Sequence, residues 1–167
     1  MFTVGDLSDD VFKPGTVIEE FGKVADVDSD VEISDTTMFK VRFDIGRQSR
    51  PNSINQTFDS AARFINVNVA AGARAENIKL AIVVHGSAAI DVTKNSFYET
   101  KTDGRKNGSA DALKILQQHN VEFFLCGQSA AYHGIKKTDL LEGVKLAPSA
   151  MTIHAILAQQ DYALNPF

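Results

Sequence analysis

Cysteine is almost absent from this chain, tryptophan is absent, and proline is scarce: one Cys, no Trp and four Pro in 167 residues. The single Cys126 excludes an internal disulfide and any metal cluster built from cysteines. His85, His119, His133 and His154 show no close ligand spacing such as H-x-x-x-H, so neither a metal nor a cofactor is expected. Positive charge is not in excess. The formal net charge is −4, which gives no reason to expect nucleic acid or an anionic membrane surface as partner. No apolar run approaches the ~20 residues of a membrane span. Met1-Phe2-Thr3-Val4-Gly5-Asp6 has neither a basic n-region nor an apolar h-region. A cytoplasmic protein is therefore expected; a chain that begins after a removed signal peptide reads the same way and would be periplasmic. What is present is ordinary globular composition, 44% hydrophobic and 23% charged, with enough length for one domain around a sizeable core.

The charge is unevenly placed. Residues 1–37 carry ten acidic and two basic side chains, net −8, and residues 38–167 carry eleven and fifteen, net +4. This break divides an acidic N-terminal arm, 1–37, from a slightly basic α/β domain, 38–167. Asp26, Asp28, Asp30, Glu32 and Asp35 lack the central Gly and terminal Glu of a calcium loop, so the arm reads as solvated, with Val17, Ile18, Phe21 and Val24 available to pack on a core. An arm of this kind can also wrap a neighbouring subunit.

Past the break, elements alternate. Met38 to Ile45 sets Phe39, Val41, Phe43 and Ile45 against Lys40, Arg42 and Asp44, the period of a half-buried strand. Ser53 with Gln56 reads as a capping box ahead of a helix on Phe58, Ala61, Ala62, Ile65 and Val69, closed by Gly72, with Arg63 and Asn66 on its solvated side. Ile78 to His85 is nearly continuously apolar, as in a strand covered on both sides. Asp91 to Ser109 reads as a long polar loop whose lysines and arginine face solvent. A helix over 109–119 follows, then a strand Val121–Leu125, a short helix broken at Gly134, a short strand at Val144–Leu146, a helix capped by Ser149 and a last short strand at Tyr162–Leu164. Strand–helix alternation throughout predicts an α/β fold with a mostly parallel central sheet of about five strands. In such sheets ligands bind outside the carboxyl ends of the strands. That rule brings Asp44-Ile45-Gly46, His85-Gly86-Ser87, Cys126-Gly127-Gln128 and Ala147-Pro148-Ser149 to one edge.

Chemistry is concentrated in VEFFLCGQSAAYHG (121–134). A free thiol titrates near ~8.5, and backbone N–H groups at a helix start favour the thiolate. Gly127 permits close backbone approach, and Gln128 and Ser129 can donate hydrogen bonds to an anion beside the sulfur. Two readings stand side by side: a small buried hydrophobe at a strand end, or an activated thiol.

Three segments carry a family resemblance: LAIVVHG (80–86), VEFFLCGQS (121–129) with Gly134-Ile135 after it, and the tail LAPSAMTIHAILAQQDYALNPF (146–167). Together they resemble the DsrE/DsrF-like family of sulfur-relay proteins over roughly residues 38–167. ARFIN (62–66) and FGKVADV (21–27) look like a variant with an added N-terminal arm. The resemblance implies a three-layer α/β/α fold, assembly as a homo-oligomer (trimer or hexamer), and sulfane sulfur carried as a persulfide on Cys126 between a donor and an acceptor protein. His85 would assist the thiol, and Gly86, Gly127, Gln128, Ser129 and Ser149 would form the substrate side. The activity implied is that of a sulfurtransferase or sulfur carrier. A different class remains open: a non-catalytic oligomeric module binding a small ligand or partner segment, with Cys126 only lining the pocket. A peroxide-sensing cysteine is a weaker third reading, because the chain holds no second cysteine to resolve a sulfenic acid.

Overall fold

The computed structural model describes residues 11–167; the first ten residues of the acidic arm, including the segment read for an export signal, lie outside the described residues. Five strands form one sheet in the order β4-β3-β2-β1-β5: β1 Phe39–Ile45, β2 Ile78–Val84, β3 Val121–Cys126, β4 Lys145–Ala147 and β5 Ala163–Asn165. Every pairing is parallel, so the sheet is parallel throughout rather than mostly so. β2 sits at the centre, and only Lys79 of its seven residues is exposed. Its unbroken apolar run is what a strand covered on both faces requires.

The two faces are covered unequally. Side-chain alternation sends Val41, Phe43, Leu80, Ile82, Val84, Phe123 and Leu125 to one face. There they meet α1 (Gln56–Ala70), through Phe58, Ala61, Ala62 and Ile65, and, further along the chain, the helix over Ala110–Gln118, through Leu113 and Leu116. Phe58 stands edge-on to Phe123 at 5.1 Å, and Phe64 does the same to Phe39 at 5.4 Å. Such pairs add about 0.5–1.5 kcal/mol beyond the area they bury. The opposite face holds a smaller cluster: Ala81, Val83 and Ala147 of the sheet with Ile153, Leu157 and Tyr162.

Residues 11–37 lie on the well-covered face. Ile18 is fully buried and Phe21 is nearly so, both within the main core. Asp26, Asp28, Asp30, Glu32 and Asp35 remain exposed. The segment is tied down by Asn66, which is fully buried rather than solvated as its helical position suggested. Its Oδ1 accepts from the Ile18 amide at 3.0 Å, and its Nδ2 donates to the carbonyls of Ile18 and Gly22 at 2.8 and 3.0 Å. A tertiary partner thus converts a polar helix face into an internal seam, which α1's own periodicity does not encode.

Two further expectations are corrected. The cap of α1 is Asn55, whose side chain accepts from the Thr57 amide at 3.0 Å; Ser53 instead donates its amide to the Arg50 carbonyl and turns the chain. The stretch 91–109 is folded rather than a loop. Residues Gly86–Val92 form 3-10 turns, α2 spans Asn95–Lys101, and α3 is the Ala110–Gln118 helix. Asp91, Thr93, Asn107 and Ser109 are buried and hydrogen-bonded to one another's backbone or to neighbours: Asn107 Nδ2 reaches the carbonyls of Asp91 and Thr93, both at 2.8 Å. Polar side chains that satisfy buried backbone look like solvated loop in a sequence. The remaining helices are α4, Gly127–His133, and α5, Ala150–Gln159, whose cap is Ser149 as expected.

Candidate functional site

The site lies at the carboxyl edge of the sheet, on the thinly covered face. Asp44 shares the parity of Arg42 on β1, His85 that of Ala81 and Val83 on β2, and Cys126 that of Phe124 on β3, so all three project towards α5. The strand order makes β1, β2 and β3 neighbours. His85 follows Val84, which pairs with Leu125, the residue before Cys126.

Cys126 ends β3 and is the N-cap of α4, which bends away at Gly127. Cys126 as a residue is 6% exposed. Burial pushes its pKa up, but the amide and hydroxyl of Ser129 and the amides of Ala150 and Gln128 outweigh this and hold the thiol below its ordinary value. The Ala150 amide belongs to the first residue of α5, so the sulfur sits where two helices begin. Gly127 has a packing reason to be glycine: a Cβ there would come within 2.6 Å of the Ala147 carbonyl oxygen. This close approach brings the β4–α5 connection, and with it the Ala150 amide, up to the sulfur.

Ser129 links Cys126 to the next strand, because its hydroxyl oxygen accepts from the Gly86 amide at 2.9 Å. Gly86 adopts φ +56°, and a Cβ there would lie 2.7 Å from the Gly46 carbonyl oxygen. His133, at the end of α4, places Nε2 3.0 Å from the Gly86 carbonyl. Gln128 donates from Nε2 to the Pro148 carbonyl at 3.2 Å, and Ser149 caps α5 through the Thr152 amide at 3.0 Å. Gly86, Ser87, Gln128, Ser129, Tyr132 and His133 line a shallow cleft of about 530 Å³ above this network. Of the residues singled out from the sequence, Gly86, Gly127, Gln128, Ser129 and Ser149 thus gather around Cys126.

His85 has a different partner. Its Nε2 lies 3.0 Å from Oδ2 of Asp44, and His154 of α5 places its Nε2 2.7 Å from Oδ1 of the same carboxylate. Partial burial pushes Asp44 up, but hydrogen bonds and charge from His85 and His154 outweigh it and lower its pKa. This His–Asp–His bridge joins β1, β2 and α5 at the site's border. The strand-end rule puts Asp44 on this edge but gives it no role, and His154 reads from the sequence as a packed or surface histidine. The signal for Asp44 is its place at the carboxyl end of an alternating strand, on the face shared with Arg42, and nothing local marks His154. Among the described residues, no three His, Cys, Asp or Glu side chains are placed to hold a metal ion.

The fold matches solved structures at low identity. A protein of unknown function from Methanobacterium thermoautotrophicum, MTH1491, aligns with TM-score 0.52 and 17% identity over 76% of this chain and 97% of that one. The ychN protein from E. coli aligns with TM-score 0.55 and 17% identity over the same shares. No curated protein matches the sequence. The model of the DsrE/DsrF-like family matches residues 53–166, from the turn before α1 to the end of the last strand. The chain therefore belongs to the DsrE/DsrF-like family.

Proposed function

We propose that the protein carries sulfane sulfur on Cys126 and relays it between thiols. The observation that supports this reading is the set of donors around the sulfur: Ser129, Ala150 and Gln128 favour the thiolate despite its burial. Family membership points the same way. The thiolate attacks the outer sulfur of a donor persulfide, R–S–SH. A new S–S bond forms on Cys126, the donor's S–S bond breaks, and the departing thiolate takes up the persulfide's proton to leave as R–SH. An acceptor thiol reverses the sequence. No external oxidant is consumed, as in thiol–disulfide exchange. His85, oriented by Asp44 on the neighbouring strand, is a group able to take and return that proton. Gly86, Gly127, Gln128, Ser129 and Ser149 form the walls against which donor and acceptor dock.

Sulfur transfer between proteins suits an assembly, and α5 supports one. Its sequence AMTIHAILAQ is apolar on nearly all sides, and Met151 is 81% exposed. Apolar helices of this kind are covered in the working state. A homo-oligomer, trimer or hexamer, would provide the cover, and light scattering on the purified chain reads its mass directly. The 6% exposure of Cys126 favours one alternative, a non-catalytic binding module in which the thiol only lines a pocket. Intact mass after treatment with a small-molecule persulfide separates the two. A relay gains one sulfur atom on the native protein, loses it to excess acceptor thiol, and gains none in Cys126→Ala. Equal gain in Cys126→Ala, or none in the native protein, ends the carrier reading.

A further inference from the structure

A second cavity opens on the same edge, away from Cys126. It has a volume of about 440 Å³ and is formed by residues 44–57, the loop after β1 and the first turn of α1. This is within the ordinary size range of small-ligand pockets. Two arginines, Arg47 and Arg50, line it. Both are exposed, and among the described residues neither side chain has an ion pair or hydrogen bond. The carboxylate that borders the cavity, Asp44, has both oxygens engaged by His85 and His154. Among the described residues the two guanidinium groups are therefore the cations at the cavity wall that no carboxylate contacts.

The loop is anchored more firmly than a surface turn requires. Behind it lies the fully buried Asp91. Its carboxylate accepts three hydrogen bonds, all from this loop: the Ser49 amide at 2.7 Å, the Ser49 hydroxyl at 3.1 Å and Asn55 Nδ2 at 2.8 Å. Asn55, 4% exposed and lining the cavity, also donates to the Arg47 carbonyl at 3.1 Å. A further pin is the Asn52 amide on the Lys106 carbonyl at 3.1 Å. Burying a carboxylate is costly unless its hydrogen bonds are met. Here that cost fixes the backbone at Arg47 and just before Arg50. Holding a binding loop in one shape before the ligand arrives is preorganisation, which strengthens binding.

We propose that this cavity binds the oxyanion end of a small molecule, a phosphate ester or a dicarboxylate, through the guanidinium groups of Arg47 and Arg50. The planar guanidinium fork matches both carboxylate and phosphate oxygens. The polar side chains of Ser53, Gln56 and Thr57 complete the wall on the α1 side. This site does not depend on the sulfur reading: Cys126 takes no part in it.

Calorimetric titration of the whole chain at constant ionic strength tests this. The probes are pyrophosphate, adenosine 5′-monophosphate and succinate. The expected result is saturable binding of at least one probe at or below about 1 mM, weakened at least about tenfold in Arg47→Ala/Arg50→Ala, the loss of a charge-assisted hydrogen bond or more. Binding should persist in Cys126→Ala. The phosphate and succinate arms identify which oxyanion source fits. Both replaced side chains are exposed, so the variant's fold, checked by its circular dichroism, is expected to be unchanged. Absence of saturation with all three probes, or equal affinity in the double variant, overturns the proposal.

Discussion

The two faces of this sheet are built to different standards. One meets α1, α3 and the segment 11–37 in a continuous core with three edge-on phenylalanine pairs. The other rests on α5 and Tyr162, with six buried apolar residues. The chemistry-bearing side chains Asp44, His85, Cys126 and His154 all belong to the second face. The thick face supplies stability, and the thin face can therefore hold charged groups, a thiol and an apolar helix left exposed.

The largest effects should come from the thick face. Phe123→Ala removes a fully buried ring from the Phe58 pair and should cost about 3–5 kcal/mol in urea denaturation. Leu157→Ala on the thin face, though Leu157 is also buried, should cost about 2–3 kcal/mol, because α5 can settle towards a face that is open beside it. Equal losses would break the comparison. Next comes Asn66→Ala. It leaves the buried Ile18 amide and carbonyl without partners and should cost about 2–3 kcal/mol, with residues 11–37 becoming the first site of limited proteolysis. A variant as stable and as protease-resistant as the native chain would mean the segment contributes nothing to the thick face.

Much of this division is legible in the sequence. The unbroken run Ile78–Val84 gives a central strand, and the alternation Phe39–Ile45 separates core side chains from Arg42 and Asp44. The strand–glycine junctions give the edge on which the site lies. The seam at Asn66 is not legible, because a buried Asn and a solvated Asn occupy the same helical position. Nor is the fold of 91–109: its Asp, Asn and Ser residues are spent on buried backbone groups that only tertiary structure brings near. The Asp44–His154 contact spans 110 residues of chain, a distance over which no local pattern operates.

Smaller effects should come from the thin face. Asp44→Asn should change stability near neutrality by less than about 1 kcal/mol, since the carboxylate is half exposed and its pairs are screened by solvent. The pH dependence carries the sign. Asp44's folded pKa is depressed, so its contribution is present above its ordinary value of 3.8 and is lost as pH falls through the lower folded value. Denaturation midpoints measured through that acid range should fall more steeply for the native chain than for Asp44→Asn. Parallel curves would remove the His–Asp–His bridge from the account.

The most direct test concerns the thiol itself. The rate of Cys126 alkylation should be followed against pH for the native protein and for Ser129→Ala. The donors around the sulfur predict a midpoint below that of an ordinary thiol, moved upward when the Ser129 hydroxyl is removed. A native midpoint at or above the ordinary value, or a thiol that reacts only after unfolding, would contradict the claim that the thin face holds an activated cysteine.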